Sequence, residues 1–428
     1  MTTTDPATPL LRRLTPEQAA SRAWTPVDAA TLDATRAMLD DIAARRDAAV
    51  IQHAERLGDL RPGQDAIIDR SALDKALDSL PRDQRDLLER VRARIEAFAR
   101  AQRACLLDLA TPVPGGVAGH TFLPVAAAGC YAPGGRFPLP SSVLMTVVTA
   151  RAAGVAGVWV ASPRPTQVTL AAAALAGAQG LLAIGGVQAI ATLAWGLLGL
   201  PRADIVVGPG NRWVTAAKHL LSVDTGIDML AGPSELLVLA DDSADPALVA
   251  ADLLAQAEHD ADAVPVLVTT SPELIKSVDR ELRVQLDALP TRATAAAALG
   301  NGAAVLVGSI GEGIRLVDRL APEHLEIITR DAAAQARLVK SAGAVFIGPH
   351  AGEVLGDYGA GPNHVLPTGG TARFRAGLSV LTFLRARTWL RVDDADSAAG
   401  LVRDAAALAR LESLEGHARA AERRLATW

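Results

Sequence analysis

The sequence predicts an α/β protein, with parallel sheets covered by helices on both faces. Three observations carry this reading. Short β-rich runs alternate with Ala-rich helical segments from about residue 114 onward. The alternation starts afresh after residue 235, giving two series of similar size without an internal sequence repeat. Apolar residues make up 50% and charged residues 21% of the 428 residues, enough to bury a sizeable core in roughly two to four domains.

Taken in order, the first 27 residues read as an extended arm. A short helix starts at Thr15-Pro16-Glu17, where Thr15 suits an N-cap and Pro16 the first helical position. Residues 28–108 read as long, charged, amphipathic helices. Leu87, Leu88, Val91, Ile95 and Phe98 fall at helical spacing within 82–103. In the first series the strands are Gly157–Ala161, Leu181–Ile184 and Ala203–Val207. In the second they are Leu236–Ala240, Val264–Thr269, Ala303–Val307, Leu325–Thr329 and Ala344–Ile347, with Asp245-Pro246 capping a helix. From Pro349 to about Gly377 runs a Gly- and Pro-rich loop, of a length that is usually functional when ordered. Asp396–Trp428 reads as a polar helical tail.

Composition excludes several classes. A net charge of −5 does not suit a nucleic-acid-binding surface, which needs an excess of Lys and Arg. Two cysteines, Cys105 and Cys130, cannot form a disulfide scaffold or a thiolate zinc finger. MTTTDPATPLLRRLTPEQ contains no apolar run of the secretory type, so a cytoplasmic location is expected. Val168–Leu200 carries no charge over a length that would suit a membrane span. The breaks at Gly177-Ala-Gln-Gly180 and Ile184-Gly-Gly-Val-Gln188 instead predict two helices and a strand buried in an α/β layer, with no membrane contact.

Several polar groups fall in suggestive company. Gln256 and His259 end the helix that begins at Pro246, and a spacing of three puts them on one face. Glu323 and His324 stand where a helix gives way to a strand, and adjacent Glu and His there can act as base and acid. By themselves these pairs also fit a helix cap and an exposed turn. The Gly-rich loop is the densest constellation, with Glu353, Asp357, Asn363 and His364. Tyr131-Ala-Pro-Gly134-Gly135 and Gly208-Pro-Gly-Asn211 each follow an apolar run and precede a helix, where backbone amides can cradle phosphates. The GxGxxG fingerprint is absent. Cys130, next to that first turn, reads as a small buried hydrophobe, and His417 as an exposed helical residue.

Taken together, these motifs resemble the histidinol dehydrogenase family from about residue 28 to the C-terminus. The resemblance rests on Tyr131-Ala-Pro-Gly-Gly with Pro-Ser-Ser-Val-Leu-Met145, Ile184-Gly-Gly-Val-Gln-Ala-Ile-Ala191 and Gly208-Pro-Gly-Asn211 with Val214-Thr-Ala-Ala-Lys218. It continues through Ala231-Gly-Pro-Ser-Glu235, Asp252-Leu-Leu-Ala-Gln-Ala-Glu-His259, Ala321-Pro-Glu-His-Leu325, Gly356-Asp-Tyr358 and Asn363-His-Val-Leu-Pro-Thr368. It implies oxidation of L-histidinol to L-histidine through L-histidinaldehyde, with a hydride passing to NAD in each of two steps. It implies one zinc ion per subunit, with Gln256, His259, Asp357 and His417 as ligands. Glu323 and His324 match the acid–base pair. Ser234, Glu353, His364 and Glu412 match substrate-contacting positions, joined there by the zinc ligands and His324. Tyr131, Gln188 and Asn211 match NAD-contacting positions.

The family fold is two incomplete Rossmann-like α/β/α domains with small helical terminal segments. On this chain that implies an arm at 1–27 and a discontinuous larger domain of 28–128 and 236–378. A smaller domain would cover 129–235 and a helical tail 379–428. The family forms a homodimer with swapped tails, so His417 and Glu412 would serve the other subunit's site. Three departures are visible: Ser413 where glycine is common, Val187 where alanine is common, and Cys130 at a variable position.

The chemistry of the donors agrees. An amide oxygen, two imidazoles and a carboxylate form an N/O set of the kind zinc accepts. Zinc would orient the substrate rather than activate water. His324 would then take the alcohol proton and Glu323 would activate water for the aldehyde step. The nearest alternative is a paralogue acting on another small alcohol, such as a sulfonated propanediol. An anionic head group would want Arg or Lys. Arg136 is the one candidate in the Gly-Gly-Arg-Phe turn, while Glu353 and Glu412 favour a cationic or imidazole-bearing substrate. A non-catalytic two-lobed solute-binding protein would not need Glu323 and His324 beside a metal.

Overall fold

The computed structural model describes residues 9–21, 27–134 and 137–426. Arg136 and Gly135 lie outside the described residues.

Two six-stranded sheets organise the chain. Sheet I runs in the order Arg12–Leu14, Ala303–Leu306, Val264–Thr269, Glu235–Ala240, His324–Ile328 and Ala344–Ile347, parallel throughout. Sheet II runs Ile67–Asp69, Gly180–Leu182, Gly157–Ala161, Ala127–Tyr131, Ile205–Val207 and Gly226–Ile227. It is parallel except for its first strand. The expected α/β architecture is therefore present, and the strands read from the sequence fall within one or two residues of those observed. The arm forms an edge strand. Arg12–Leu14 adds to Ala303–Leu306, and Thr15 caps the helix Pro16–Ala20 in a reciprocal capping box with Gln18.

The helices of 28–108 do not share a core with sheet I, as their grouping with 236–378 implied. Leu39, Ile42, Val50, Leu73, Leu88 and Ile95 share one buried cluster with Val158, Leu181 and Ile190 of the sheet II layer. The physical reason lies in the uncharged stretch. Helices Gln167–Ala176 and Gly186–Trp195 are apolar on nearly all sides, so they need an outer layer as well as a sheet. The amphipathic helices supply that layer, with Arg70–Asp78 against Gln167–Ala176 and Asp47–Arg56 against Gly186–Trp195. No described helix is long and apolar enough to cross a membrane.

A third sheet escaped the sequence reading. Leu384–Val392, Gly116–Pro124 and Leu109–Val113 form an antiparallel ribbon of three strands. The tail from 379 is thus not wholly helical. After this strand come helices Ala395–Leu411 and Glu415–Ala426, joined by a turn in which Ser413 has φ +62°. That left-handed backbone suits glycine, the residue expected there by resemblance. The turn also puts Glu412 and His417 on different elements rather than on one helix.

Phe383 fastens this ribbon to the body. It is fully buried in the sheet II cluster, and its carbonyl accepts from Val125 N at 2.9 Å. Phe383→Ala is expected to cost about 3–5 kcal/mol. A urea titration should show a lower midpoint at unchanged slope; an unchanged midpoint would refute the anchoring role.

Candidate active site

The site forms where three segments meet at the N-terminal edge of sheet I. The helix Pro246–His259 returns from strand Glu235–Ala240 antiparallel to it, so its last turn brings Gln256 and His259 to that edge. Strand His324–Ile328 begins there, and its alternation puts His324 and Glu326 on one face. The predicted loop after strand Ala344–Ile347 contains a short helix, Glu353–Asp357, lying against both elements. Its start is fixed by Glu326, whose Oε1 accepts from Glu353 N at 2.7 Å.

The polar groups converge closely. His259 Nε2 lies 3.3 Å from Asp357 Oδ2, and His324 Nε2 lies 3.8 Å from Asp357 Oδ1. His324 Nδ1 is 3.6 Å from Glu353 Oε1 and 3.8 Å from Glu323 Oε2. Gln256 Nε2 lies 3.3 Å from His259 Nδ1. His364 Nδ1 lies 2.9 Å from the carbonyl of Asp357, and its Nε2 lies 3.4 Å from Ser142 Oγ. Asn363 ties the loop to helix Pro140–Ala153, donating to Met145 O at 2.9 Å and Thr149 Oγ1 at 3.2 Å. Ser234 precedes strand Glu235–Ala240, where its carbonyl accepts from Val264 N at 2.9 Å.

Several buried atoms in this cluster have no partner: Gln256 Oε1, His324 Nε2 and both carboxyl oxygens of Glu353. Each such atom costs about 1–3 kcal/mol, so a cluster of them marks a place made for a ligand. Coordinating atoms of His259, Glu353 and Asp357 lie within 4.8 Å of one another, a geometry that can hold a metal ion. Glu353, assigned to substrate by resemblance, therefore joins two of the expected ligands, while His417 is not in the group.

The electrostatics sort the acids and bases. Burial raises the Glu323 carboxyl well above its usual range, even though Glu235 N donates to it at 2.8 Å. Burial likewise raises Glu353, with the charge of Asp357 adding to the effect. Burial would also raise Asp357, but the hydrogen bond from His259 and the neighbouring imidazoles hold it below the usual range. Burial lowers His324 to about 4, against the opposing pull of Asp357. Its Nδ1 faces the carbonyl of Glu235 at 3.0 Å, so Nδ1 carries the hydrogen and Nε2 is left as a free base.

Glu326 and Asp252 were not foreseen. Burial and the charge of Asp252 raise Glu326 to about 8, and the two carboxyls face each other behind the site. The spacing of two from His324 on a strand was the available signal.

A second group lies at the C-terminal edge of sheet II. Tyr131 ends its strand, and its hydroxyl accepts from Gly186 N at 3.2 Å. Gln188 donates to Asp59 Oδ2 at 3.3 Å and its buried Oε1 has no partner. Asn211 caps helix Arg212–Leu221 through Trp213 N and Val214 N. Gly208 has φ +115°, and a Cβ there would sit 1.9 Å from Tyr131 O, so only glycine fits. Glu412 and His417 are not brought to either group; both are exposed. His417 lines a groove of about 590 Å³ with Leu390, Val392, Leu401 and Leu425.

The His324 environment predicts a pH dependence. Its folded pKa of about 4 lies below the ordinary 6.5, so the unfolded chain binds the proton first. Stability is therefore lost as pH falls from about 6.5 towards 4, by on the order of 3 kcal/mol. In metal-free protein, His324→Asn should flatten that part of the stability–pH curve; a curve parallel to the wild type would refute the assignment.

Comparison with known proteins places nearly the whole chain, sequence and fold together, in one family. The sequence model of the histidinol dehydrogenase family matches residues 24–425. Histidinol dehydrogenase of Thermus thermophilus is 46% identical over 359 residues, covering 83% of this chain and 86% of that protein. The enzyme of Thermobifida fusca is 44% identical, covering 93% of this chain and 92% of that protein. The crystal structure of histidinol dehydrogenase from Elizabethkingia anophelis matches with a TM-score of 0.91 at 29% identity. That match covers 98% of this chain and 99% of the other. With the family model matched over nearly the whole chain, relatives at 46% and 44% identity and a solved member of the same fold, the chain is a member of the histidinol dehydrogenase family, which catalyses the last step of histidine biosynthesis.

Proposed function

We propose that the chain oxidises L-histidinol with NAD at a zinc site built on Gln256, His259 and Asp357. The observation that carries this reading is the set of unpartnered buried atoms around the His259–Asp357 pair. An amide oxygen, an imidazole and carboxylates suit zinc, and Glu353 stands close enough to ligate or to meet the substrate. Zinc, when bound, supplies a fixed positive charge that orients the substrate. His417 and Glu412 come from a second copy in a homodimer with swapped tails; the exposed His417 in its apolar groove supports this. The compartment is the cytoplasm.

In the alcohol step, His324 Nε2 takes the hydroxyl proton; NAD, when bound, would supply the acceptor for the hydride that leaves the same carbon. The hydrogen bond of Nδ1 to Glu235 O holds the ring in the tautomer this needs. The product is the aldehyde. In the second step Glu323, in its ionised form a stronger base than an ordinary carboxylate because burial raises its pKa, takes a proton from water as that water adds to the carbonyl. The hydrate anion so formed gives up its hydride, for which a second NAD would be the acceptor, and the resulting carboxylic acid ionises on release. Tyr131, Gln188 and Asn211 stand at the cofactor edge of sheet II. The unpartnered Gln188 Oε1 and the close-packed backbone at Gly208 support this placement.

Purified protein incubated with L-histidinol and NAD should form two NADH per histidine. Chelation should abolish turnover and added zinc should restore it. Silence from zinc-loaded protein would refute the reading and turn the search to anionic diols. Glu323→Gln should slow oxidation of added histidinaldehyde at least tenfold more than the alcohol step, on the scale of general-base catalysis. Equal losses in both steps would refute this division of labour.

A further inference from the structure

Lys218 is buried to 2% exposure in helix Arg212–Leu221, far from the acid–base pair in sequence and unused by the chemistry above. Its Nζ donates to Asp228 Oδ1 at 2.7 Å and to the carbonyl of Gly208. The other oxygen of Asp228 accepts from Gly208 N at 2.7 Å. One ion pair therefore holds both backbone groups of Gly208, the residue that starts the turn to Asn211. Asp228 Oδ1 also accepts from Met229 N at 2.7 Å, at the start of the segment that crosses to sheet I. That segment is tied on the way, with Thr215 Oγ1 donating to Ala231 O at 2.7 Å and Gly232 N to Thr368 Oγ1 at 2.6 Å. It ends at Glu235, whose amide donates to the Glu323 carboxyl at 2.8 Å.

A buried ion pair is an inefficient way to add stability. Desolvation of the two charges commonly matches or exceeds their attraction, and apolar residues of the same size would fill the space. What an apolar pair cannot do is accept from Gly208 N and donate to Gly208 O together. Gly208 needs such a hold, because its left-handed backbone lies against Tyr131 O.

We propose that Lys218 and Asp228 are positioning residues. They clamp the Gly208–Asn211 turn and fix its distance from the Glu323–His324 edge, so that the cofactor carrier meets the substrate in register. The inference rests on the NAD-dependent reading above.

The test is the charge-neutral double variant Lys218→Met with Asp228→Asn, which leaves no lone buried charge; Asp228→Asn alone is the second variant. The expected result is a KM for NAD raised about tenfold or more, the scale on which small misplacements act. Calorimetric NAD affinity should fall in parallel. Zinc content and histidinol affinity should stay within about twofold of wild type, within the same scale of effect. Amide exchange over residues 205–214 should quicken while that of strand His324–Ile328 does not. Unchanged NAD binding and unchanged exchange would overturn the proposal. So would equal loss of zinc, histidinol and NAD binding, which is the mark of general destabilisation. Wild-type protein that fails to oxidise histidinol with NAD would refute the functional reading instead. The clamp would then still be judged by amide exchange.

Discussion

Burial of polar groups that the chain itself does not satisfy is the constraint on which the rest of this structure turns. Gln256, His324 and Glu353 each leave an atom unpaired in the interior. Nothing local holds such groups in place, since left alone they would turn towards water. The fold holds them from outside. Glu326 fixes the amide of Glu353, the carbonyl of Glu235 fixes the His324 ring, and Asn363 fastens the following loop to Met145 and Thr149. Each of these ties begins in a different element, so the site exists only when both sheets and their crossing segments are assembled.

The two sheets contribute through opposite edges. Tyr131 ends a strand of sheet II and Gly185 and Gly208 follow the C-terminal ends of two others, the usual place for a nucleotide. Ser234, Glu323 and His324 stand at the N-terminal ends of strands in sheet I. Two segments bridge them: 228–235 and the loop that carries Asn363 and His364. The hydride transfer proposed above would use such a division, with each sheet holding one reactant and the bridges setting their spacing.

Much of this was legible in the sequence for identifiable reasons. Strands such as Val264–Thr269 are short runs bounded by Asp, Pro or Gly, and they appear with their expected limits. The pairing of Gln256 with His259 follows from helical spacing. The ribbon of Leu384–Val392 with Gly116–Pro124 was not legible, because its partners are more than 250 residues apart and its exposed faces carry little apolar alternation. Nor was the layer to which the helices of 28–108 belong, since an amphipathic stripe reveals that a face is buried but not against what. Glu353 and Asp357 read as loop residues because a helix of a single turn has too little periodicity to register. The one signal for Lys218 is a charge in an otherwise apolar helix face, Val214 to Leu221.

The acid lining of the site bears on how the molecule empties itself. Histidinol arrives with an ammonium group and no anionic charge, whereas histidine leaves with a new carboxylate. Of the four carboxyls gathered there, burial holds Glu323, Glu326 and Glu353 above the usual range and only Asp357 lies below it, and the same desolvation would act on a carboxylate formed among them. The dry surroundings that keep these three side chains from ionising therefore disfavour the anion made from the alcohol. Turnover would end on a charge that this interior resists, which makes the finished product the species in the sequence least welcome to stay.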